Sequence, residues 1–553
     1  VAARFSCDAA QTPAELPLRR LSRVQYTHSV HALVERTGLP AAERAAVLAA
    51  LEPALARFPP DRKAGAPGDT HGGFTQLDQA VQQGHVDATY AVAVALGRDL
   101  TRTPARLAGL LGGCATDAST ANDAECLTAF LRSFGAAALR RPLGAEDLAF
   151  YAAAAGDTPV APEAVADVVA LLLTAPQFLY HVEEAPQAPA QGVQRLDAWA
   201  LAARLSFHFW QAPPDAALLQ AAASGALLTE EGYRQQVQRL AADPRTDASL
   251  EDFFAQWLRL HEVQPLNTRV GTPAFDAFAG ADRPAADLHL QMRQEVRDLV
   301  RHVARSGGPL SEVLTSRKSF ARRADLAALY GPGQPLWDGT SAPPDLVQPE
   351  RAGLLTRAAF LASPSGNTRP VMKGFLLRTA LLCQSVPPPP DNAAATPLDL
   401  SPDLTTREQV EALTEQSGTS CRGCHRTLLN PLGFATENFD ALGRLRTHQR
   451  LFGADGTPRG ERSVDTRTRV VLNEEEHALA GAHDALGLME RSGDFERCFA
   501  LQYFRFAFGR VEEPERDGCA LAALQQEALA GRPLTEVLGA VALQPAFQRR
   551  DFQ

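Results

Sequence analysis

The chain has 553 residues, 45% hydrophobic and 21% charged, an ordinary globular balance that is too long for one compact core, so two to four domains are expected. A formal charge of −10 argues against nucleic acid as a partner, because no basic face could easily outweigh it. The longest apolar run, near residues 168–175, falls far short of the ~20 residues of a membrane span, and a start at Val1 without an apolar leader suggests a processed form.

Apolar residues recur at three- and four-residue spacing almost throughout. The expected fold is therefore all-α: several helical modules joined by short Pro- and Gly-bearing loops, with little β structure. Residues 1–105 read as an N-terminal helical module, and 106–184 as a second one carrying Cys114, Cys126 and the run "PEAVADVVALLLTAPQFLYHVEE". A Pro/Gln/Ala linker, 183–194, precedes a central module over 195–341 that contains "LDAWALAARLSFHFW". A further module spans 342–450, entered through "APPDLVQPERAG". Inside it "SVPPPPDNAAATPLDLSPD" (385–403) reads as a stiff, extended spacer. The next segment, "TTREQVEALTEQ", reads as a helix capped by Thr405 or Thr406 and ending at Gly418. "TRTRVVL" near residue 470 is the best strand candidate, and 451–553 form a C-terminal helical module with Cys498 and Cys519. The aromatic run "QYFRFAF" (502–508) has helical spacing and should pack the core of that last module. No repeat of fixed period is present.

One stretch carries chemistry: "TSCRGCHRTLLNPLGF" (419–434). Two thiols three positions apart, followed at once by an imidazole, suit three uses. A structural zinc site needs a second ligand pair, and the sequence offers no other CxxC or HxxxH. A redox dithiol wants a βαβ setting, which this region lacks. Covalent haem remains. Cys421 and Cys424 near a helix start can each add to one vinyl group of a single porphyrin, and His425 then places its imidazole on the iron. The following "NPLGF" fits a loop closing over the haem, with Pro431 and Leu432 as wall residues.

Six cysteines remain of eight, an even set that suits an oxidising compartment. Six allow fifteen pairings. Short loops favour Cys114–Cys126 and Cys498–Cys519, which leaves Cys7–Cys383 by elimination. Covalent haem attachment also takes place outside the bacterial cytoplasm, so a periplasmic, outer-surface or extracellular location is expected.

The chain resembles the large multi-module monohaem c-type proteins of planctomycetes and myxobacteria, built in order from domains of unknown function 1587, 1595, 1592, 1588 and 1585. The segments that carry the likeness are "PLRRLSRVQYTHSVHALV" (17–34), "FGAAALRRPLGAEDLAFY" (134–151), "LLLTAPQFLYHVE" (171–183) and "ALAARLSFHFWQAPPDAALL" (200–219). They continue with "AGLLTRAAFLASPSGNTRPVMKGFLLRTALLCQSVPPPP" (352–390), the haem motif itself and "CFALQYFRFAFGRVEEPERDGCALAAL" (498–524). The resemblance implies an exported protein with one covalent haem c in the 342–450 module. It implies no particular activity.

The second axial ligand decides the class. A strong protein ligand favours electron transfer, whereas an open position lets small molecules reach the iron. Met372 in "NTRPVMKGF" is the preferred candidate, with Arg369 or Lys373 near a haem propionate; Met489 and His448 are the others. Glu437 and Asp440 in "ENFDALGR" could handle protons near the iron, although a helix cap and an Asp440–Arg444 pair explain them more simply. His208, inside an aromatic stripe, reads as a buried core histidine before a group at the haem edge. The favoured function is an electron-transfer cytochrome with His425 and Met372 on the iron. The alternatives are a peroxidase- or oxygenase-like haem enzyme with a labile distal site, and a structural or filament-forming extracellular haem protein. The expected partner is a redox protein or a small-molecule substrate, with oligomeric state open.

Overall fold

A computed structural model describes residues 4–552 apart from 9, 13, 15, 66–72, 186–191 and 389–402. Most of the proline-bearing spacer 385–403 and the centre of the 183–194 linker thus lie outside the described residues. The chain is mostly helical, as its periodicity requires. Helix α1 (Arg23–Glu35) starts at a capping box in which Ser22 and Gln25 exchange side-chain-to-backbone bonds. Helix α2 (Gln83–Thr101) buries a stripe through Val92, Leu96 and Leu100 against α3 (Pro162–Thr174). Gly97 allows that approach: a Cβ there would stand 2.4 Å from the Ala166 carbonyl oxygen. The two N-terminal segments therefore share one core, which runs from Leu21 to Phe178 and includes Phe207.

Helix α4 (Ala198–Trp210) is capped by Asp197, which accepts from the Ala200 amide at 2.7 Å, and is buried over most of its length. It packs with α5 (Thr246–Trp257). The CRGCH region follows as α6 (Pro370–Leu376), α7 (Thr406–Thr414), α8 (Ser420–Cys424) and α9 (Asn430–Phe434). Helix α7 is capped by Thr405 in a capping box with Glu408, and it stops at Thr414, earlier than the Gly418 expected. Helix α10 (Asp494–Phe508) carries the aromatic run.

That run does not pack a private C-terminal core. Tyr503 lies 5.1 Å, centroid to centroid, from Phe253 on α5, and Trp257 stacks on Phe495 at 5.2 Å. Trp257 also donates its indole N–H to the Ala380 carbonyl at 2.7 Å. One continuous core therefore joins the central, motif-bearing and C-terminal parts.

The few strands are short, as expected. β1 (Gly192–Arg195) pairs antiparallel with β6 (Arg549–Phe552), which ties the linker to the end of the chain. After the motif, β2 (His448–Phe452) pairs with β3 (Pro458–Ser463), and β4 (Thr468–Leu472) with β5 (Glu475–Leu479). Only β4 was legible in the alternating "TRTRVVL".

Three disulfides are present among the described residues, and two differ from expectation. Cys114–Cys126 closes the short loop, but Cys7 joins Cys519 and Cys383 joins Cys498, in place of 7–383 and 498–519. The physical reason is that Cys498 and Cys519 sit on different helices with different neighbours. The N-terminal segment runs against the second of these, where Gly518 leaves room for the Ser6 carbonyl, 2.0 Å from where a Cβ would stand. No helix among the described residues is long and apolar enough to cross a membrane.

Candidate haem site

The CRGCH motif forms the one-turn helix α8 and runs into a π-helical turn, His425–Leu429, before α9. A single π turn displaces the side chains that follow it, and such turns recur at functional sites. Cys421 and Cys424 are free thiols, both half-buried, in a chain whose other cysteines are paired. Burial, with Cys421 beside it, pushes the Cys424 thiol up, the opposite of an activated redox dithiol. No group of three or more His, Cys, Asp or Glu side chains among the described residues converges on a metal-ion position.

The imidazole is oriented from behind. His425 Nδ1 lies 3.3 Å from Asn430 Oδ1, and Asn430 is fully buried. The Asn430 Nδ2 donates to Thr414 Oγ1 at 3.0 Å and to Glu415 Oε1 at 2.8 Å, which fixes the amide. Nδ1 is therefore the donor, and Nε2 keeps its lone pair for a ligand bond. Asn430 went unnoticed in the sequence because it precedes Pro431 in a segment read as a loop. In fact "NPLGF" is helical, with Pro431 in its first turn, a placement proline favours.

Helix α6 presses directly on this element. A Cβ at Gly374 would fall 1.8 Å from the Leu429 carbonyl oxygen, and one at Gly433 would fall 2.0 Å from the Pro370 carbonyl oxygen. Arg378, buried just after α6, donates to the Leu428 carbonyl at 2.7 Å and to the Val471 carbonyl of β4 at 2.9 Å. On one side Lys373 donates to Thr436 Oγ1 at 2.7 Å. Burial pushes that ammonium down to about 8, with Glu437 pulling the other way. Lys373 is thus an internal group, and of the two residues expected near a propionate only Arg369 is exposed, with no ion pair among the described residues.

The remaining expected residues are distributed as follows. Pro431 and Leu432 are buried by protein, Leu432 as part of the large core. Met489 is 1% exposed in that same core and cannot reach a ligand position without leaving it. His448 is exposed on β2, bonded to the neighbouring Thr447 hydroxyl. Met372 is 57% exposed on the face of α6 opposite Gly374, two residues and about 200° of helix from the face that meets α9 through Pro370. It lines a cleft of about 170 Å³ with Leu258, Val263 and Phe375, and no residue of the CRGCH motif lines that cleft. Met372 thus stands on the face of α6 away from the glycine contact with the motif-bearing turn.

Glu437 is buried, accepting from Thr368 Oγ1 at 2.8 Å and facing Arg446 at 3.2 Å. Asp440 pairs with Arg444 at 2.8 Å, as the simpler reading had it. His208 is a core histidine: its Nε2 meets the Tyr503 hydroxyl at 3.2 Å, and burial pushes its imidazole down to about 4.

Fold and site together define a mostly helical, disulfide-tied, multi-module chain with a cytochrome c-like motif on its surface. Three families match it in order. Residues 126–183 match Protein of unknown function (DUF1595), 196–331 match Protein of unknown function (DUF1592), and 351–449 match Protein of unknown function (DUF1588). The last segment contains α6, the whole motif and Asn430. The order supports the multi-module, planctomycete-type cytochrome-like family. No curated protein and no solved structure matches the chain.

Proposed function

We propose that the protein is an exported monohaem c-type redox protein, with the porphyrin on Cys421 and Cys424 and the iron on His425 Nε2. One observation carries the reading: the two free thiols are those of the motif, and the adjoining imidazole is held by Asn430 with Nε2 available. The donor set fits haem c. The exposed Leu413 on α7 is also an apolar side chain that a porphyrin face would cover. When bound, the group supplies one-electron chemistry, or ligand activation if its second axial position is free. The chain's part is to fix the imidazole through Asn430, to brace the π turn through Arg378 and α6, and to offer the Arg369 guanidinium to a carboxylate. Three disulfides are consistent with export.

Met372 as second ligand would make the protein an electron carrier. The outward-facing Met372 gives specific support to the second reading, a haem-c enzyme with an exchangeable position. The protein produced with periplasmic haem-attachment machinery should carry one haem that survives denaturation. Cys421→Ser with Cys424→Ser should abolish it. Retention of one covalent haem in that double variant would sink the proposal.

A further inference from the structure

Away from the motif, a cavity of about 40 Å³ lies where three parts of the chain meet. The segment before α1 contributes Arg19 and Arg20, the end of α4 contributes Arg204, His208 and Gln211, and α10 contributes Phe506. Most of the cations here have a carboxylate. Arg204 is held by both oxygens of Glu183 and donates Nη1 to the Phe547 carbonyl. Arg550 shares Glu183 at 3.1 Å. Arg20 pairs with Asp61 at 2.6 Å and stands 3.2 Å from Asp78.

Arg19 is different. Among the described residues it makes one side-chain hydrogen bond, from Nη1 to the Phe508 carbonyl at 2.8 Å, and no carboxylate pairs with it. A guanidinium has five N–H donors, so most of these remain unused. Burial pushes the group down to about 10, and the charges of Arg204, Arg550 and Arg510 act in the same direction against Glu183. One other lining residue, Gln211, 4% exposed, keeps its buried Oε1 without a hydrogen-bond partner. The imidazoles of His181 and His208 are kept neutral by burial and add no charge of their own. A volume of this size holds roughly three water-sized groups.

We propose that this cavity binds a small anion of the size of chloride, nitrate or formate on the Arg19 guanidinium, with a water donating to Gln211 Oε1. Arg19 is half-buried, and a guanidinium without a carboxylate on a cavity wall it shares with Arg20 and Arg204 attracts an anion; a small one supplies the missing partner where a larger organic acid would not fit. Because Arg19 comes from the N-terminal segment and the opposite walls from α4 and α10, occupancy fastens the N-terminal core to the larger one.

Crystals of the full chain grown in bromide should show an anomalous peak beside Arg19; density there that fits water alone would overturn the proposal. In solution, the unfolding midpoint should rise saturably as chloride or formate replaces gluconate at constant ionic strength. Arg19→Gln should lose that shift, and Arg19→Lys should keep part of it. An equal rise in wild type and Arg19→Gln would also overturn it. If Arg19→Gln does not fold, the bromide peak in the unaltered chain decides.

Discussion

Asn430 stands directly behind His425, its Oδ1 3.3 Å from the imidazole Nδ1, while its own amide is fixed by Thr414 and Glu415. Because Nδ2 is spent on two acceptors, Oδ1 can only accept, so the imidazole tautomer is set by a residue five positions further along the chain. Partners of this kind set ligand basicity and orientation, and their loss typically costs about 10–100-fold in affinity or activity.

Asn430→Leu should keep its covalent haem, since both thiols are untouched, but raise the midpoint potential by removing an acceptor from Nδ1. It should also lower stability by about 1–3 kcal/mol, because buried groups lose their partners. A redox titration beside a denaturant melt checks both. An unchanged potential would reduce Asn430 to a packing role.

Met372→Ala should leave the ferric and ferrous spectra as they are, and wild type should already bind carbon monoxide in the ferrous form. The side chain is more than half exposed in a cleft that the motif does not line, so its loss removes little packing. A spectrum that turns high-spin only in the variant would place the sulfur on the iron after all.

Gly374→Ala should destabilise the chain by about 1–3 kcal/mol, the usual cost of overpacking, by pushing α6 off the Leu429 carbonyl. Gly433→Ala, pressing on Pro370 across the same contact, should do likewise. The double variant should cost less than the sum, because the first substitution already opens the interface. Full additivity in denaturant melts would mean that the two glycines do not share a contact.

Glu496 is 3% exposed with Oε2 unpartnered, and burial, with Glu490 and Asp494 adding to it, pushes its carboxyl up to about 7. Between about pH 4.5 and 7 the folded chain then binds more protons here than the unfolded one. The stability from the neutral acid is fully present below pH 4.5 and is lost as pH rises through about 7. Glu496→Gln should therefore match wild type near pH 4.5 and exceed it by on the order of 3 kcal/mol at pH 8. Parallel stability curves across that range would refute the assignment.

The sequence made part of this site legible. The CRGCH spacing is local covalent geometry, which five residues specify wherever the chain goes. The same holds for the Thr405 capping box, the β4 alternation and the helical periodicity, all set by neighbours within a turn or a strand. Asp440–Arg444 was readable for that reason.

What lay beyond reach depended on which distant surfaces meet. Disulfide partners failed where loop length was used as a guide, because Cys7 and Cys519 are brought together by an irregular segment packed over Gly518 from 512 residues away. The outward turn of Met372 follows from two glycines letting α6 and α9 touch backbone to backbone, and a missing Cβ carries no hint of what will approach it. By itself, the sequence determined a helical chain with a CRGCH motif. Tertiary packing alone decided what stands behind His425 and which way Met372 faces, because side-chain direction on a helix has no functional meaning until its neighbour is in place.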